Sequence, residues 1–449
     1  MEDIEGLRSA VRGRVSLPGD DDFEQSGLPW NSAVAQDVRA VVRVADAEDA
    51  AALVRYARAI GVPLSVQPNG HGASGSAAGT ILVRTGALDE VRIDPVRRAA
   101  RVGAGVAWDR VQAAASEFGL TGLAGSSAVV NVVGYTLGGG LSWFGRAYGW
   151  AADSVTAFEI VDADGMAARV TAYTDPDLFW ALRGGGGDFA LVTAVEFALH
   201  LAPSVYGGRM LWPARQAARV LAEFGAITAA APRTLTVWAN LLAFPGADPM
   251  VSVDVTYLGD AAVGARFLAP LDDIGDRISD TRRPILLPQL GSIAAEPISP
   301  SPNQQHAELL TGLDEAACAA LLSAPPGPVT AINIRHLGGA LTHRSDSPIG
   351  ILTEPYLINF LGFPTTPGAP TAIRARTGQY LDRLAPRLSG RVPFNFLTRG
   401  ESAARAFDHD TLTRLRRIKS DRDPDGVFHS NFPVREEDRS WTARSGASA

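Results

Sequence analysis

The chain has 449 residues, 46% of them hydrophobic and 20% charged: a globular composition, long enough at roughly 150 residues per domain for two or three units. Lys plus Arg number 41 against 48 Asp plus Glu, so at a net charge of -7 no basic excess exists to neutralise phosphates, which argues against a nucleic-acid partner. A single cysteine, Cys318, rules out a disulfide framework and a cysteine-based zinc site, and fits a reducing compartment.

Met1 to Ser16 mix acids and bases without an apolar stretch, so no secretory signal is read. No run approaches the ~18 apolar residues of a membrane span, and the expectation is a soluble, cytoplasmic protein. Asp46 caps a helix over 46–61, whose stripe of Leu53, Val54, Ala57 and Ile60 is closed by Gly61. Strands are expected at 62–67, ending at Pro68-Asn69-Gly70, at 80–84 and at 99–103, followed by a helix at 107–118. Residues 154–173 read as a hairpin turning at Ala163-Asp164-Gly165. Asp175-Pro176-Asp177 opens a helix that ends in Gly184 to Gly187, and a strand follows over 189–200. After Pro203 the texture changes. Leu235, Val237, Ala239 and Leu241 alternate, as do Val251, Val253, Val255 and Tyr257, which predicts antiparallel strands with one face in water. Further strands are expected at 329–335, 356–363 and 392–397, with helical runs such as 371–388 between them. The stretch 281–306, rich in Pro, Ser and Gln, reads as a long loop, and 410–420 as a last helix stopped at Asp423-Pro424-Asp425-Gly426.

Four motifs carry the chemistry. Gln67-Pro68-Asn69-Gly70-His71-Gly72-Ala73 closes a strand, with glycines on both sides of a histidine; backbone can approach a ligand there, and a neutral imidazole is a nucleophile. The same segment also reads as a plain turn with a locally bonded histidine. Gly125-Ser126-Ser127 and Gly134-Tyr135-Thr136-Leu137-Gly138-Gly139-Gly140 supply amides for a phosphate cradle, and no Lys-Ser or Lys-Thr follows, so this is not a P-loop. Gly103-Ala104-Gly105-Val106-Ala107-Trp108 misses the dinucleotide fingerprint, because an indole stands where the third glycine belongs; it reads as a structural turn. Gly184 to Gly187 reads either as a helix cap or as a ligand loop. His200, His306, His336, His343, His409 and His429 show no metal spacing, and no metal is expected.

Together, GHGASG (70–75), GSSAVVNVVGYTLGGGLSWFGRAYGWAAD (125–153), DLFWALRGGGGDFALVTAVEF (177–197) and LRRIKSDRDPDGVFHSN (415–431) resemble, in order and spacing, a known family. It is that of the FAD-linked oxidases of the vanillyl-alcohol oxidase / p-cresol methylhydroxylase superfamily, in its berberine-bridge-enzyme-like branch. The resemblance implies an α+β, two-domain fold. A bipartite FAD-binding domain would take residues 1–204 and a returning C-terminal segment, 401–449; a substrate domain, 205–400, would hold an antiparallel sheet backed by helices. It implies that FAD is contacted by Pro68, Asn69, Gly70, His71, Gly72, Gly125, Ser126, Asn131, Gly134, Tyr135, Gly138, Gly139, Val192 and Asn431, with 134–140 cradling the pyrophosphate. His71 matches the position bonded covalently to the flavin 8α-methyl carbon. Ser127 stands where many relatives place a cysteine for a second bond, so a single histidyl link is implied.

The implied reaction transfers a hydride from substrate to flavin N5 and then electrons to molecular oxygen, giving hydrogen peroxide. Substrate would be a small organic alcohol, amine or secondary metabolite lying between flavin and the central sheet. Relatives often carry a catalytic tyrosine after an asparagine near the C-terminal helix; here the stretch is Phe394-Asn395-Phe396, and phenylalanine cannot take a proton. Tyr135, His343, Tyr356, Asn359 and Asn395 are the candidates to face the flavin in its stead, with sheet packing as the alternative role for Tyr356. Ala190 replaces a glycine usual in the family and would tighten the space beside the ring. Two competing functions stand beside the oxidase: a flavin-containing tailoring enzyme or cyclase with no net oxidation, and a nicotinamide dehydrogenase resting on the near-miss at Gly103–Trp108.

Overall fold

A computed structural model describes residues 3–202, 204–343 and 345–435. Pro203, at the expected domain boundary, and 436–449, the end of the expected returning segment, lie outside the described residues.

The first part of the chain folds into two sheets. In the first, Ala40–Arg43, Ile81–Arg84 and Leu64–Val66 run parallel, with Arg14–Ser16 antiparallel on the edge. The crossover between parallel strands needs a helix, and Ala47–Ile60 supplies it. Asp46 accepts the Asp49 amide at 2.9 Å as its cap, and Gly61 ends it at φ 68°, a left-handed turn that glycine adopts without strain. The second sheet is antiparallel, in the order Val91–Asp94, Ala99–Gly103, Leu191–Ala198, Val155–Val161 and Ala167–Val170. Its last two strands are the expected hairpin, turned by Gly165.

A larger eight-stranded sheet follows, built from Val205–Pro213, Leu235–Leu242, Met250–Leu258, Gln304–Leu310, Ala331–His336 and Tyr356–Gly362 with two short edge strands. All its pairings are antiparallel. One face is apolar: Val237, Ala239, Val253, Val255, Ile332, Ile334, Ile358 and Phe360 pack with helices Ala217–Ala230, Glu315–Leu322 and Ala369–Leu384. The α+β, two-domain architecture is therefore as expected.

Three expectations fail for physical reasons. The face opposite the helices is not in water: every residue of Leu235–Leu242 is buried, and Trp238 stacks on Trp143 of the glycine-rich segment at 3.5 Å. The alternation that normally marks a wet face here separates an apolar layer from a buried polar one. The stretch 281–306 is not one loop; it holds strand Arg283–Ile285, helix Gly291–Ala294 and the start of Gln304–Leu310. The opening of Gln304–Leu310 pairs with Tyr356–Gly362 on one side only, so its polar residues are compatible with a strand. Finally, 392–397 is not a strand. After Pro393, residues Phe394–Phe396 form a short turn of helix closed by the Phe396 amide on the Pro393 carbonyl at 2.8 Å.

Candidate active site

Strand Leu64–Val66 delivers the loop Gln67 to Gly72 to a cleft of about 300 Å³. Gly70 has φ 72°, and a Cβ there would lie 2.8 Å from Pro29, so the turn needs glycine. His71 is held on two sides: its ring stacks on Trp30 at 4.2 Å, and its Nδ1 lies 3.0 Å from the Asn69 Oδ1. Asn69 spends its Nδ2 on the Val129 carbonyl, so its oxygen faces the imidazole and Nδ1 must be the donor. The lone pair is left on Nε2, which is buried without a partner. Burial lowers the His71 pKa to about 4, so the ring is neutral near pH 7.

The glycine-rich segment lines the opposite wall. Residues Val132–Leu137 are a short helix rather than an open nest, capped by Asn131, whose Oδ1 accepts the Gly134 amide at 2.9 Å. Asn131 also donates to Ala104 and Val106, which fixes the wall to the turn after strand Ala99–Gly103. Asn395 reaches in from its helical turn. Its Oδ1 accepts the Gly140 amide at 2.7 Å and its Nδ2 donates to the Tyr135 carbonyl at 3.1 Å, filling the space a Cβ on Gly138 would need.

The C-terminal segment closes the cleft. Phe428 bridges Leu64 as an added parallel strand, and the Asn431 Oδ1 accepts from Gln67 at 2.8 Å. Ser74 and Ser76 both donate to the Asn431 carbonyl. Behind them lies Lys419, the one lysine of the chain, 5% exposed. Its ammonium donates to the Asp188 carbonyl, the Asp423 carboxylate and the Phe428 carbonyl at 2.6 to 2.7 Å. Asp188 in turn accepts the Ser430 and Val434 amides, so a buried charged cluster locks the returning segment onto the Gly184–Gly187 loop.

Residues 38–171 match the family model described as an FAD binding domain. Residues 38–171 are an FAD-binding domain. The chain is 30% identical over 282 residues to (R)-6-hydroxynicotine oxidase of Paenarthrobacter nicotinovorans, 61% of this chain and 60% of that protein's length. Its fold matches the crystal structure of 6-hydroxy-D-nicotine oxidase from Arthrobacter nicotinovorans with a TM-score of 0.83, at 23% identity over 95% of this chain and 98% of that one. It likewise matches BBE-like 1 of Physcomitrella patens with a TM-score of 0.84, at 18% identity over 96% and 99% of the two chains. The expected FAD-binding domain is borne out by the family model, and the expected fold by both solved structures.

The cleft of the FAD-binding domain fits the cofactor chemically. Three polar atoms of its lining are buried without a partner: Gln67 Oε1, His71 Nε2 and Ser430 Oγ. Buried polar groups are otherwise nearly always paired, and a ligand rich in donors and acceptors satisfies them. Pro68, Asn69, Gly70, Gly72, Gly125, Ser126, Ser127, Asn131, Gly134, Tyr135, Gly138 and Asn431 line the same cleft. Gly186 and Gly187 do too, while the Gly185 amide closes the preceding helix on Ala181, so that loop is cap and lining at once.

Other sequence-based candidates are placed elsewhere. Gly139 lies behind the wall, where a Cβ would strike Ile349 at 2.7 Å. Val192 is buried in the second sheet because its strand is covered on both faces, and Ala190, just before that strand, is buried in the same core. His343 is exposed after the short helix Gly339–Thr342, outside the cleft. Tyr356 is on the helix face of the large sheet, its hydroxyl 2.6 Å from Thr228, so the packing alternative is the correct one. Tyr135 and Asn395 do reach the cleft, but Tyr135 donates its hydroxyl to the Leu123 carbonyl and burial raises its pKa, while both ends of the Asn395 amide are engaged. Neither has a free base to offer. Asn359 shares the register position of Asn333, on the face away from the helices, with its Oδ1 buried and unpartnered.

Sequence reasoning missed Glu296, Gln305 and Arg335, which the large sheet and its edge bring to the cleft. The signal for Arg335 was available: in Ile332-Asn333-Ile334-Arg335 the polar residues share the parity opposite the apolar face.

Proposed function

We propose that the chain is an FAD-dependent oxidase acting on a small organic alcohol, amine or secondary metabolite, with molecular oxygen as the final acceptor. One observation carries this reading: a cleft floored by an FAD-binding domain presents a neutral His71 whose buried Nε2 lone pair has no partner. When bound, the flavin supplies the acceptor for a C–H hydride and the path of electrons to oxygen. His71 would be the residue that holds the flavin covalently; what supports this is the neutral ring, its unpartnered Nε2, its tautomer set by Asn69 and its plane set by Trp30. Ser127 at the cleft wall makes that link the only one. Gly134 would leave the wall open to the cofactor, and the returning segment would close over it with Asn431. Glu296, the carboxylate of the lining, takes the substrate's hydroxyl or ammonium proton in place of the absent tyrosine.

Acid precipitation tests the tether. Wild-type protein keeps yellow flavin in the pellet, and His71→Ala releases it into the supernatant; wild type that releases all its flavin removes the covalent link. A preparation colourless even after incubation with excess FAD removes the whole reading. A second reading, a tailoring enzyme without net oxidation, is favoured by one observation: Phe396 lines the cleft where relatives often place tyrosine, and Tyr135 and Asn395 are already bonded. Anaerobic mixing with substrate separates the two, because an oxidase bleaches its flavin and the alternative leaves it oxidised.

A further inference from the structure

On the cleft-facing side of the large sheet a single hydrogen-bonded chain crosses four strands. The Arg335 Nε donates to the Asn333 Oδ1 at 2.6 Å; Asn333 donates to the Asn240 Oδ1 at 2.7 Å; Asn240 donates to the Asp254 Oδ2 at 3.0 Å. Asp254 is also gripped by Arg209 with two bonds of 2.5 and 2.8 Å. Every amide in the chain therefore points its donor toward Asp254 and its acceptor toward Arg335. Asp254 is in direct contact with Arg209, and it reaches Arg335 only through the relay and across space.

Arg335 is left as a cation 9% exposed, lying over the Trp238 ring at 4.2 Å and the Phe396 ring at 5.2 Å. Trp238 is itself fixed by its stack on Trp143. Among the described residues no carboxylate forms an ion pair with Arg335, and its only further partner is the Ser126 hydroxyl at a long 3.4 Å. Glu296, on the half-exposed lip, attracts it across space without touching it. A buried guanidinium that stacks on rings and has one amide partner but no anion in contact has its desolvation offset only in part, and this one lines the cleft. The fork is also held rigidly by the amide chain, which suits planar, two-point recognition of a carboxylate.

We propose that Arg335 is a specificity-determining residue that binds a carboxylate on the substrate, so that the preferred substrates of this chain are small aromatic or apolar acids bearing an oxidisable alcohol or amine. The inference rests on the oxidase reading above. The apolar part of such a molecule lies among Leu141, Phe394 and Phe396, which share the lining with Arg335. Phe396 gains a second role: a ring without a hydroxyl offers the guanidinium an unbroken apolar face.

The test uses purified, flavin-loaded protein and two non-reacting probes of equal shape, benzoate and benzamide, with affinity read by calorimetry and by perturbation of flavin absorbance. Wild type is expected to bind benzoate at least tenfold more tightly than benzamide, about 1.4 kcal/mol. Arg335→Gln is expected to abolish that preference, and Arg335→Lys, which keeps the charge without the fork, to retain part of it. Thermal melting and flavin content of both variants confirm that they fold. Benzoate binding no tighter than benzamide, failure to bind included, overturns the proposal. So does a preference that survives Arg335→Gln, or a variant whose flavin reduction potential moves while its benzoate affinity does not. Flavin-free protein overturns the oxidase reading; flavin-loaded protein without an anion preference overturns this inference alone.

Discussion

Along Ala331–His336, Ile332 and Ile334 enter a layer of helices, while Asn333 and Arg335 lie on the opposite face, where Arg335 lines the cleft. The two faces of one sheet are both buried, yet they follow different physics. The helix face gains stability by removing apolar area from water, at about 25 cal/mol per Å². The cleft face spends stability: it buries Arg335, Asp254, Asn240 and Asn359 and half-buries Arg209 and Asn333, and their bonds at best offset their desolvation. A fold does not need the second face, so its composition reports on what the cleft receives.

The contrast is broken most strongly on the apolar side. Phe360 is 1% exposed and packs on Tyr380, so Phe360→Ala should cost about 3–5 kcal/mol of stability by chemical denaturation while leaving the benzoate preference intact. Loss of that preference in a folded variant would mean that the faces are not separable. A smaller effect comes from His336, the titratable weak point of the helix side. Burial, reinforced by Arg146, lowers its pKa to about 3, against about 6.5 in an unfolded chain. Below pH 6.5 the unfolded chain takes up a proton that the folded one refuses, so stability is highest above that pH and declines as pH falls toward 3. His71 and His200, each lowered to about 4 by burial, act in the same direction. Melting temperatures recorded from pH 7.5 down to 5 should fall, and His336→Leu should flatten the slope. The smallest effect is that of Tyr356→Phe, which removes one hydroxyl bond to Thr228: about 1 kcal/mol of stability and no change in the rate of flavin reduction. A large loss of rate would return Tyr356 to the cleft.

These two faces also mark what the sequence made legible. The glycine motifs were readable because runs such as Gly138-Gly139-Gly140 are rare and occupy positions no side chain fits: a Cβ at Gly140 would lie 2.5 Å from Tyr135. The large sheet was readable through the period of two in Val251, Val253 and Val255. What the period could not give was where each parity points. Tyr356 and Arg335 are both polar-tipped residues in strands, and only the pairing of His336 with Tyr356 across neighbouring strands sets the tyrosine on the helix face. Glu296 sits in a connection with no periodicity at all, and a lone carboxylate there carries no motif. Asn395 was legible as a site residue, but its role in pinning Gly140 depends on a contact 255 residues away in sequence.

The sealing of Lys419 has a practical side. Every other basic residue besides the histidines is an arginine, so the folded protein offers amine-directed reagents no side-chain target. Acylating cross-linkers and fluorescent esters will find the ε-ammonium only after the returning segment has come away from Asp188, which turns a single residue into a chemical clock for the opening of the cleft.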